Sequence, residues 1–282
     1  MMQFGIHTFI WEPEWNDKTA RSVVPKVRSV GLDLLEIPLL HPETFKAKET
    51  RKILDSEGVE AVCSLGLPAD ATFTKDAQKG KDFLVHALDA VAEAGSDTLT
   101  GVLYGTLGGL SGYPPEDWEY EAIAESLSYV ADRAKERNIQ LGLEAVNRYE
   151  TNLINTAWQA LDLIHKIDRD NVFIHLDTYH MNIEEKGFAN PVYASKSKLA
   201  YIHLSESDRG IPGTGTVHWD QLFRALADIN YSGRVAMESF VAINEDIARA
   251  TCMWRDIVSD SDKLVNEGLR FLTDKAKEYR LI

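Results

Sequence analysis

Eight short apolar runs alternate with helix-like stretches along the whole of this chain. The strand-like runs span 3–9, 32–38, 58–67, 97–105, 139–147, 172–180, 199–206 and 234–240. The helix-like stretches span 17–30, 42–56, 76–94, 116–137, 156–168, about 188–197, 218–229 and 262–280. This regular alternation favours a closed (β/α)8 barrel, the TIM barrel of the α/β class, over an open doubly wound sheet. We therefore predict one barrel domain over 1–282, with a further helical stretch at 245–258 covering part of the barrel mouth.

The composition narrows the classes of function. The chain has 282 residues and a formal net charge of −14. A strongly acidic protein repels nucleic acid and anionic lipid, so we predict a small-molecule substrate, no nucleic-acid partner and no membrane partner. The two cysteines, Cys63 and Cys252, support neither a disulfide framework nor a thiolate zinc site. The N-terminal segment does not resemble a signal peptide, and the expected location is cytoplasmic.

Four polar side chains stand near the ends of the last four strand-like runs. Glu144, Asp177, His203 and Glu238 follow one another at intervals of 33, 26 and 35 residues, each about the length of one β/α unit. In a parallel barrel the carboxyl ends of the strands meet at one mouth, where the last inward side chains form the active site. We therefore predict that these four side chains converge.

Three carboxylates and one imidazole form a ligand set made mainly of hard oxygen atoms. Such a set can bind Mn²⁺, Mg²⁺ or Co²⁺ and leave positions for two oxygens of a polyol. The metal would polarise a ketone and stabilise an enediolate, and Glu144 and Glu238 would serve as base and acid on opposite faces of the substrate. One acidic residue at a strand end is more often a helix cap or part of a salt bridge. Burying all three carboxylates without a cation would, however, cost several kcal/mol.

The segments LGLEAVNRYE, HLDTYHMNIEE, HLSESDRGIPGTG and MESF resemble those of the ketose 3-epimerases, the family of D-tagatose 3-epimerase and D-psicose (allulose) 3-epimerase. The similarity covers most of 1–257 and is strongest from 139 to 240. It implies that Glu144, Asp177, His203 and Glu238 bind Mn²⁺, with Glu144 and Glu238 exchanging the C3 proton of a free ketose. It also implies a homo-oligomer, either a dimer or a tetramer.

The same resemblance places Glu150, His180 and Arg209 at the O1 to O3 end of the sugar. Each residue also has a simpler interpretation. Glu150 would be a solvated loop acid, His180 a cap for the following chain, and Arg209 a loop cation paired with Asp208 or Glu206.

Two departures from the family pattern concern the O4 to O6 end of the sugar. His7 stands where several members have tyrosine, while Trp15 matches an aromatic residue of the pocket wall. The loop after the fourth strand, YGTLGGLSGYPPEDW, is rich in glycine. A ribulose or an erythrulose therefore fits the sequence as well as fructose, tagatose or psicose. The alternative function is that of an aldose–ketose or hydroxypyruvate-type isomerase, which would use the same enediolate on a smaller or phosphorylated sugar.

Three further features leave more than one interpretation open. Glu36, at the end of the second strand-like run, is either a partner of a metal ligand or a structural residue at the rim. His175 lies one layer below Asp177 and is expected to fill the interior with a satisfied hydrogen bond. The GIPGTGT run lacks a phosphate-binding motif and predicts a turn into the helix at Trp219, although barrels often bind phosphate after strands seven and eight.

Two functions of other classes fit the sequence less well. A metal-dependent endonuclease of the same superfamily would need a cluster of zinc ligands and a basic surface for DNA, and this chain is acidic. A non-catalytic sugar-binding barrel would lack Glu144 or Glu238, and both residues are present.

Overall fold

A computed structural model of the protein describes residues 1–241 and 243–282. Eight parallel strands pair in chain order, and the eighth strand closes the sheet by pairing with the first. The closed barrel confirms the fold predicted from the alternating pattern. The strands are β1 (Gln3–His7), β2 (Leu34–Pro38), β3 (Glu60–Gly66), β4 (Thr98–Val102), β5 (Gln140–Glu144), β6 (Val172–Asp177), β7 (Leu199–Leu204) and β8 (Arg234–Met237).

Helices surround the barrel and follow its strands. In the described part of the chain they are α1 (Asp17–Ser29), α2 (Ala47–Glu57), α3 (Ala77–Glu93), α4 (Asp117–Lys135), α5 (Ala157–Ile167), α6 (Thr178–Glu184), α7 (Ala189–Ser195), α8 (Trp219–Asp228), α9 (Glu245–Thr251) and α10 (Ser261–Glu278). A short 3-10 helix, Thr8–Ile10, follows β1. None of the helices in the two described ranges has both the length and the apolar composition needed to cross a bilayer.

Capping residues determine where several helices begin and end. Asn16 and Thr19 form a capping box at the start of α1, and Thr156 with Gln159 forms another at the start of α5. Gly58 ends α2 with a φ of 63°, a left-handed conformation that glycine adopts without steric cost. These caps explain why the helical stretches of the sequence became discrete helices with short connections.

Most strands end earlier than their apolar runs predicted. In two of them, β1 and β6, a side chain at the strand end caps a helical turn. The Nδ1 atom of His7 accepts a hydrogen bond from the backbone N–H of Phe9 at 3.1 Å. Asp177 Oδ1 accepts one from the backbone N–H of Tyr179 at 2.7 Å. The chain therefore turns into a 3-10 helix after β1 and into α6 after β6, and α6 was absent from the sequence prediction.

The barrel interior has an apolar layer below a polar one. Leu34, Val62, Phe173, Tyr201 and Ala236 form a cluster separate from the main core between the strands and helices. Because side chains two positions apart in a strand share a face, the next inward positions towards the mouth are polar, namely Glu36, Ser64, His175, His203 and Glu238. The fold thus places titratable groups directly above a largely apolar layer.

Candidate active site

The four predicted metal ligands converge at the mouth of the barrel. Glu144 ends β5, Asp177 ends β6, His203 lies in β7, and Glu238 follows β8. All four side chains are buried. The Nδ1 atom of His203 lies 3.2 Å from Glu238 Oε2, 3.6 Å from Glu144 Oε1 and 3.8 Å from Asp177 Oδ2. The parallel strands therefore bring one imidazole nitrogen next to three carboxylates.

These donor atoms fit a divalent cation. His203 Nδ1 is buried and has no hydrogen-bond partner among the described residues, whereas most buried polar atoms are hydrogen-bonded. Asp177, His203 and Glu238 each offer one ligand atom within 4.8 Å of the others, and so do Glu144, Asp177 and His180. An oxygen-rich set with one imidazole suits Mn²⁺, Mg²⁺ or Co²⁺ better than structural zinc.

The guanidinium of Arg209 contacts two of the same carboxylates. Its Nη1 atom donates to Asp177 Oδ2 at 2.6 Å and also to Glu238 Oε2. Its Nη2 atom lies 3.2 Å from His180 Nε2. The simpler interpretation of Arg209, as a loop cation paired with Asp208 or Glu206, is therefore wrong: the side chain is buried in the site.

The backbone and surroundings of Arg209 hold it in place. Its φ of 64° lies in the left-handed region, which costs a residue with a Cβ about 1–2 kcal/mol. The Ser239 hydroxyl donates to the Arg209 carbonyl. The rings of Tyr179 and Phe240 flank the guanidinium, with their centroids 4.2 and 5.0 Å from its Cζ.

Asn147 joins the other two residues that the sequence placed at the substrate. Its Nδ2 donates to Glu150 Oε1 at 2.8 Å and lies 2.9 Å from His180 Nδ1. Glu150 is only 3% exposed, so its interpretation as a solvated loop acid is wrong. Burial raises the pKa of Glu150 to about 8 and lowers the pKa of His180 well below its ordinary value.

The two predicted proton-transfer residues have pKa values shifted in opposite directions. Burial raises the pKa of Glu144. Burial alone would also raise the pKa of Glu238, but the positive charges of Arg209 and His203 outweigh it and hold that pKa well below its usual range. Burial raises the pKa of Asp177 to about 7 even beside Arg209, because Glu238 and Glu144 add negative charge.

A cavity of about 240 Å³ opens at these residues. This volume is below the roughly 300–1,000 Å³ of typical drug-sized ligand sites, so it suits a small molecule. Glu144, Glu238, Glu150, His180 and Arg209 all line it. The remaining wall is largely apolar and includes Leu65, Val102, Leu107, Val146, Phe240 and Ile247.

Comparison with known proteins shows the family of this chain. A family model described as xylose isomerase-like TIM barrel matches residues 24–275. An L-ribulose 3-epimerase from Methylomonas sp. (strain DH-1) is 36% identical over 280 residues, which cover 97% of this chain and 98% of that protein. A ketose 3-epimerase from Arthrobacter globiformis is 36% identical over 295 aligned positions, covering 100% and 99% of the two chains. This chain belongs to the ketose 3-epimerase family.

A solved structure agrees with that assignment. The crystal structure of D-allulose 3-epimerase from Methylomonas sp. in complex with D-allulose superposes with a TM-score of 0.93 at 35% identity, covering 97% of each chain. As a ketose 3-epimerase family member the protein is an enzyme of the isomerase class. The resemblance seen in the four sequence segments is confirmed.

The helix predicted over the mouth is present but shorter than expected, because α9 ends at Thr251. α9 lies within the predicted stretch 245–258, and its residues Asp246, Ile247, Ala250 and Thr251 line the cavity. Ile247 packs in a small apolar cluster that also includes Phe9, Phe240 and Met253. No periodic pattern signals that cluster, because Phe9 follows β1 while the other three residues lie between β8 and α10.

Of the two aromatic residues expected at the distal end, His7 lines the cavity and Trp15 does not. Trp15 lies in an adjoining cleft, and its Nε1 donates to Thr50 Oγ1 at 3.0 Å. The cleft and the cavity share Pro38 and Leu40. A contact between Trp15 and a substrate therefore stays a prediction.

The loop after β7 folds around the buried carboxylate of Glu206. Glu206 accepts hydrogen bonds from the backbone N–H groups of Ser207, Gly213 and Val217 at 2.8 to 3.2 Å, and from Trp219 Nε1 at 3.1 Å. The GIPGTGT run thus forms the predicted turn into α8. Within the run, the N–H of Gly213 donates to Glu206, and those of Gly210, Thr214 and Thr216 also have acceptors inside the loop. Few N–H groups of this turn are therefore free to cradle a phosphate.

Two buried side chains near the mouth, His175 and Tyr104, form hydrogen bonds with neighbouring parts of the barrel. The Nδ1 atom of His175 lies 2.9 Å from Thr100 Oγ1, and the ring is fully buried, as expected for an interior histidine. The Tyr104 hydroxyl donates to the backbone carbonyl of Glu144 at 2.8 Å. Sequence analysis missed Tyr104, because it follows β4 outside any recognisable motif.

Proposed function

We propose that this protein interconverts the C3 epimers of a free ketose of the D-tagatose, D-psicose, D-fructose or L-ribulose class. The observation that carries the proposal is that Glu144 and Glu238 both flank His203 Nδ1, at 3.6 and 3.2 Å, and both line one small cavity. Inversion at a carbon requires two proton-transfer groups on opposite faces of the substrate, and carboxylates that end β5 and follow β8 are separated widely enough around one mouth to take those places. Relatives named ketose 3-epimerase and L-ribulose 3-epimerase support this reaction.

We assign Glu144, Asp177, His203 and Glu238 as the ligands of a divalent cation, with Mn²⁺ preferred and Co²⁺ or Mg²⁺ as alternatives. The cation, when bound, supplies Lewis acidity that makes the hydrogen next to the ketone easier to remove. The fit of the donor set and the unpartnered His203 Nδ1 support this assignment.

Glu144 and Glu238 are the proposed proton-transfer residues. One carboxylate removes the C3 proton from one face of the sugar, which leaves an enediolate. The other carboxylic acid donates a proton to C3 from the opposite face, so that the configuration is inverted. In the reverse reaction the two residues exchange roles.

Three further residues are proposed to hold the O1 to O3 end of the substrate. Arg209 and His180 supply N–H groups, and Glu150 supplies a carboxyl group, in a pocket whose other walls are largely apolar. His7 is proposed to contact the distal end. Because the distal wall offers few polar groups, ketopentoses are expected to bind as well as ketohexoses.

The charges around the cavity favour an unphosphorylated sugar. Arg209 is the only lysine or arginine among the described residues that line it, and its guanidinium is already bonded to Asp177 and Glu238. Asp246 adds a negative charge to the lining. A phosphate group binds best to an arginine fork whose donors are free, whereas Nη1 of Arg209 is already engaged by two carboxylates.

The test is NMR spectroscopy of Mn²⁺-loaded protein in D₂O with D-fructose, D-tagatose and L-ribulose in separate samples. Epimerisation predicts deuterium at C3 and a 3-epimer as product, and the initial rates rank the three sugars. Deuterium at C1 with an aldose product would identify an aldose–ketose isomerase instead. No exchange with any of the three sugars would contradict the proposal.

A further inference from the structure

A buried carboxylate outside the proposed ligand set contacts the imidazole of that set. Glu36, in β2, is fully buried. Its Oε2 atom lies 2.6 Å from His203 Nε2 and accepts a hydrogen bond from the Tyr201 hydroxyl at 2.7 Å. Its Oε1 atom lies 3.5 Å from His7 Nε2 and has no closer partner among the described residues. The groups nearest to this carboxylate are therefore two imidazoles and one phenol.

The contact determines which nitrogen of His203 is free to act as a ligand. An ionised carboxylate only accepts hydrogen bonds, so the short contact with Glu36 requires a proton on His203 Nε2. When the ring is neutral, its lone pair then lies on Nδ1. Nδ1 is the nitrogen that faces Glu238, Glu144 and Asp177.

His7 lies on the other side of the Glu36 carboxylate. His7 Nδ1 accepts a hydrogen bond from the backbone N–H of Phe9 at 3.1 Å. The proton of a neutral His7 ring is therefore on Nε2, the atom that faces Glu36 Oε1. The carboxylate thus lies between residues of β1 and β7, hydrogen-bonded at Oε2 and next to the His7 ring at Oε1.

We propose that Glu36 is a positioning residue, whose carboxylate fixes the ring orientation and tautomer of His203 so that Nδ1 is offered to the cation. This inference rests on the metal site of the proposed function. Histidine ligands commonly donate their outer N–H to a carboxylate, and loss of that partner typically weakens metal binding 10- to 100-fold. A purely structural residue at this rim would not need a charge, because the described residues place no lysine or arginine in contact with Glu36.

The first test is calorimetric titration of Mn²⁺ into metal-free wild type, Glu36→Gln and Tyr201→Phe. Glu36→Gln keeps the shape of the side chain but removes the charge that favours a donor on His203. Tyr201→Phe is the matched control, because it removes a hydrogen bond to the same Oε2 atom and leaves the contact with His203. We expect Mn²⁺ to bind Glu36→Gln about 10- to 100-fold more weakly than wild type, and Tyr201→Phe within about threefold of wild type.

Three outcomes would count against the inference, and they are distinguishable. Equal affinity of wild type and Glu36→Gln would overturn the role of Glu36 and leave the metal site intact. Equal losses in Glu36→Gln and Tyr201→Phe would overturn it also, because any disturbance of the buried cluster would then weaken binding. Absence of Mn²⁺ binding by wild type would overturn the proposed metal site itself.

A second measurement uses wild type alone and does not depend on the folding of a variant. In Co²⁺-loaded protein, proton NMR shows strongly shifted signals from the ring of a ligating histidine. We expect one shifted N–H signal that is lost in D₂O, exchanges slowly because Glu36 and burial protect it, and is assigned to Nε2–H by ¹⁵N labelling. Assignment of that signal to Nδ1–H would show ligation through Nε2 and overturn the inference.

Discussion

The guanidinium of Arg209 donates a hydrogen bond of 2.6 Å to Asp177 inside the barrel mouth. Both side chains are buried, and the same Nη1 atom also donates to Glu238. Each charge in this group has lost its hydration and depends on the others for stabilisation. Removing one member therefore leaves uncompensated charge in a poorly solvated place.

We expect Arg209→Met to lower the free energy of unfolding by about 3–5 kcal/mol in the presence of a chelator, because two buried carboxylates lose their cation. Urea denaturation measures the difference. Arg51→Met is the control: Arg51 forms an exposed pair with Asp55 at 3.6 Å, and its loss should cost less than about 1 kcal/mol. Similar small losses in both variants would show that Arg209 does not stabilise the carboxylates.

Replacing either proton-transfer carboxylate should stop the chemistry and preserve the barrel. Glu144→Gln and Glu238→Gln are each expected to lower the rate of C3 deuterium exchange by about 10²- to 10⁴-fold, because the amide cannot take up or release the proton. Circular dichroism checks the fold. Glu93→Gln, at the end of α3 where the side chain pairs with Lys48, should keep the wild-type rate. Normal turnover by either site variant would remove that residue from the mechanism.

Removing the metal should remove activity and stability together. Chelation is expected to abolish C3 exchange, and Mn²⁺ or Co²⁺ should restore it. Added metal at 100 times its dissociation constant should stabilise the folded protein by about 2.7 kcal/mol, measured by thermal or urea unfolding. Asp177→Asn should lose most of this metal-dependent stabilisation. Full activity in excess chelator would contradict the metal assignment.

The loop after β7 should depend on pH through Glu206. Burial alone would raise the pKa of Glu206, but hydrogen bonds from Ser207, Val217 and Gly213 outweigh it and lower that pKa below its ordinary value. A lowered pKa in the folded state means that the stabilisation is complete above the pKa of the unfolded chain, about 4.3, and is lost as the pH falls through the folded-state value.

Glu206→Gln should therefore cost about 1–3 kcal/mol of unfolding free energy at pH 7, because the loop N–H groups lose an ionised acceptor. The difference between variant and wild type should shrink as the pH falls below about 4. Urea denaturation at a series of pH values measures both effects. A difference that stays constant, or grows, with falling pH would show that the charge of Glu206 is not what holds the loop.

The ends of β1 and β6 show why the sequence pattern could not predict every strand boundary. The apolar runs continue past His7 and Asp177, so period-two alternation predicts longer strands. In the structure each of these side chains accepts a backbone N–H two residues later, at Phe9 and Tyr179, and starts a helical turn. A hydrogen bond from a nearby backbone N–H to a polar side chain can end a strand where the alternating pattern would continue it. The alternation of apolar and polar residues does not reveal such a bond.

The sequence by itself determined the barrel and the convergence of Glu144, Asp177, His203 and Glu238. Strand periodicity and regular spacing are local properties, and parallel strands must end at the same mouth. Only the tertiary structure decided the contacts among inward side chains. Glu36 contacts His203, which is 167 residues away in the sequence. Arg209 donates to Asp177 rather than to Asp208, and Trp15 lies in a neighbouring cleft rather than in the cavity wall. Those contacts depend on how the closed sheet aligns strands from both ends of the chain, which no local pattern specifies.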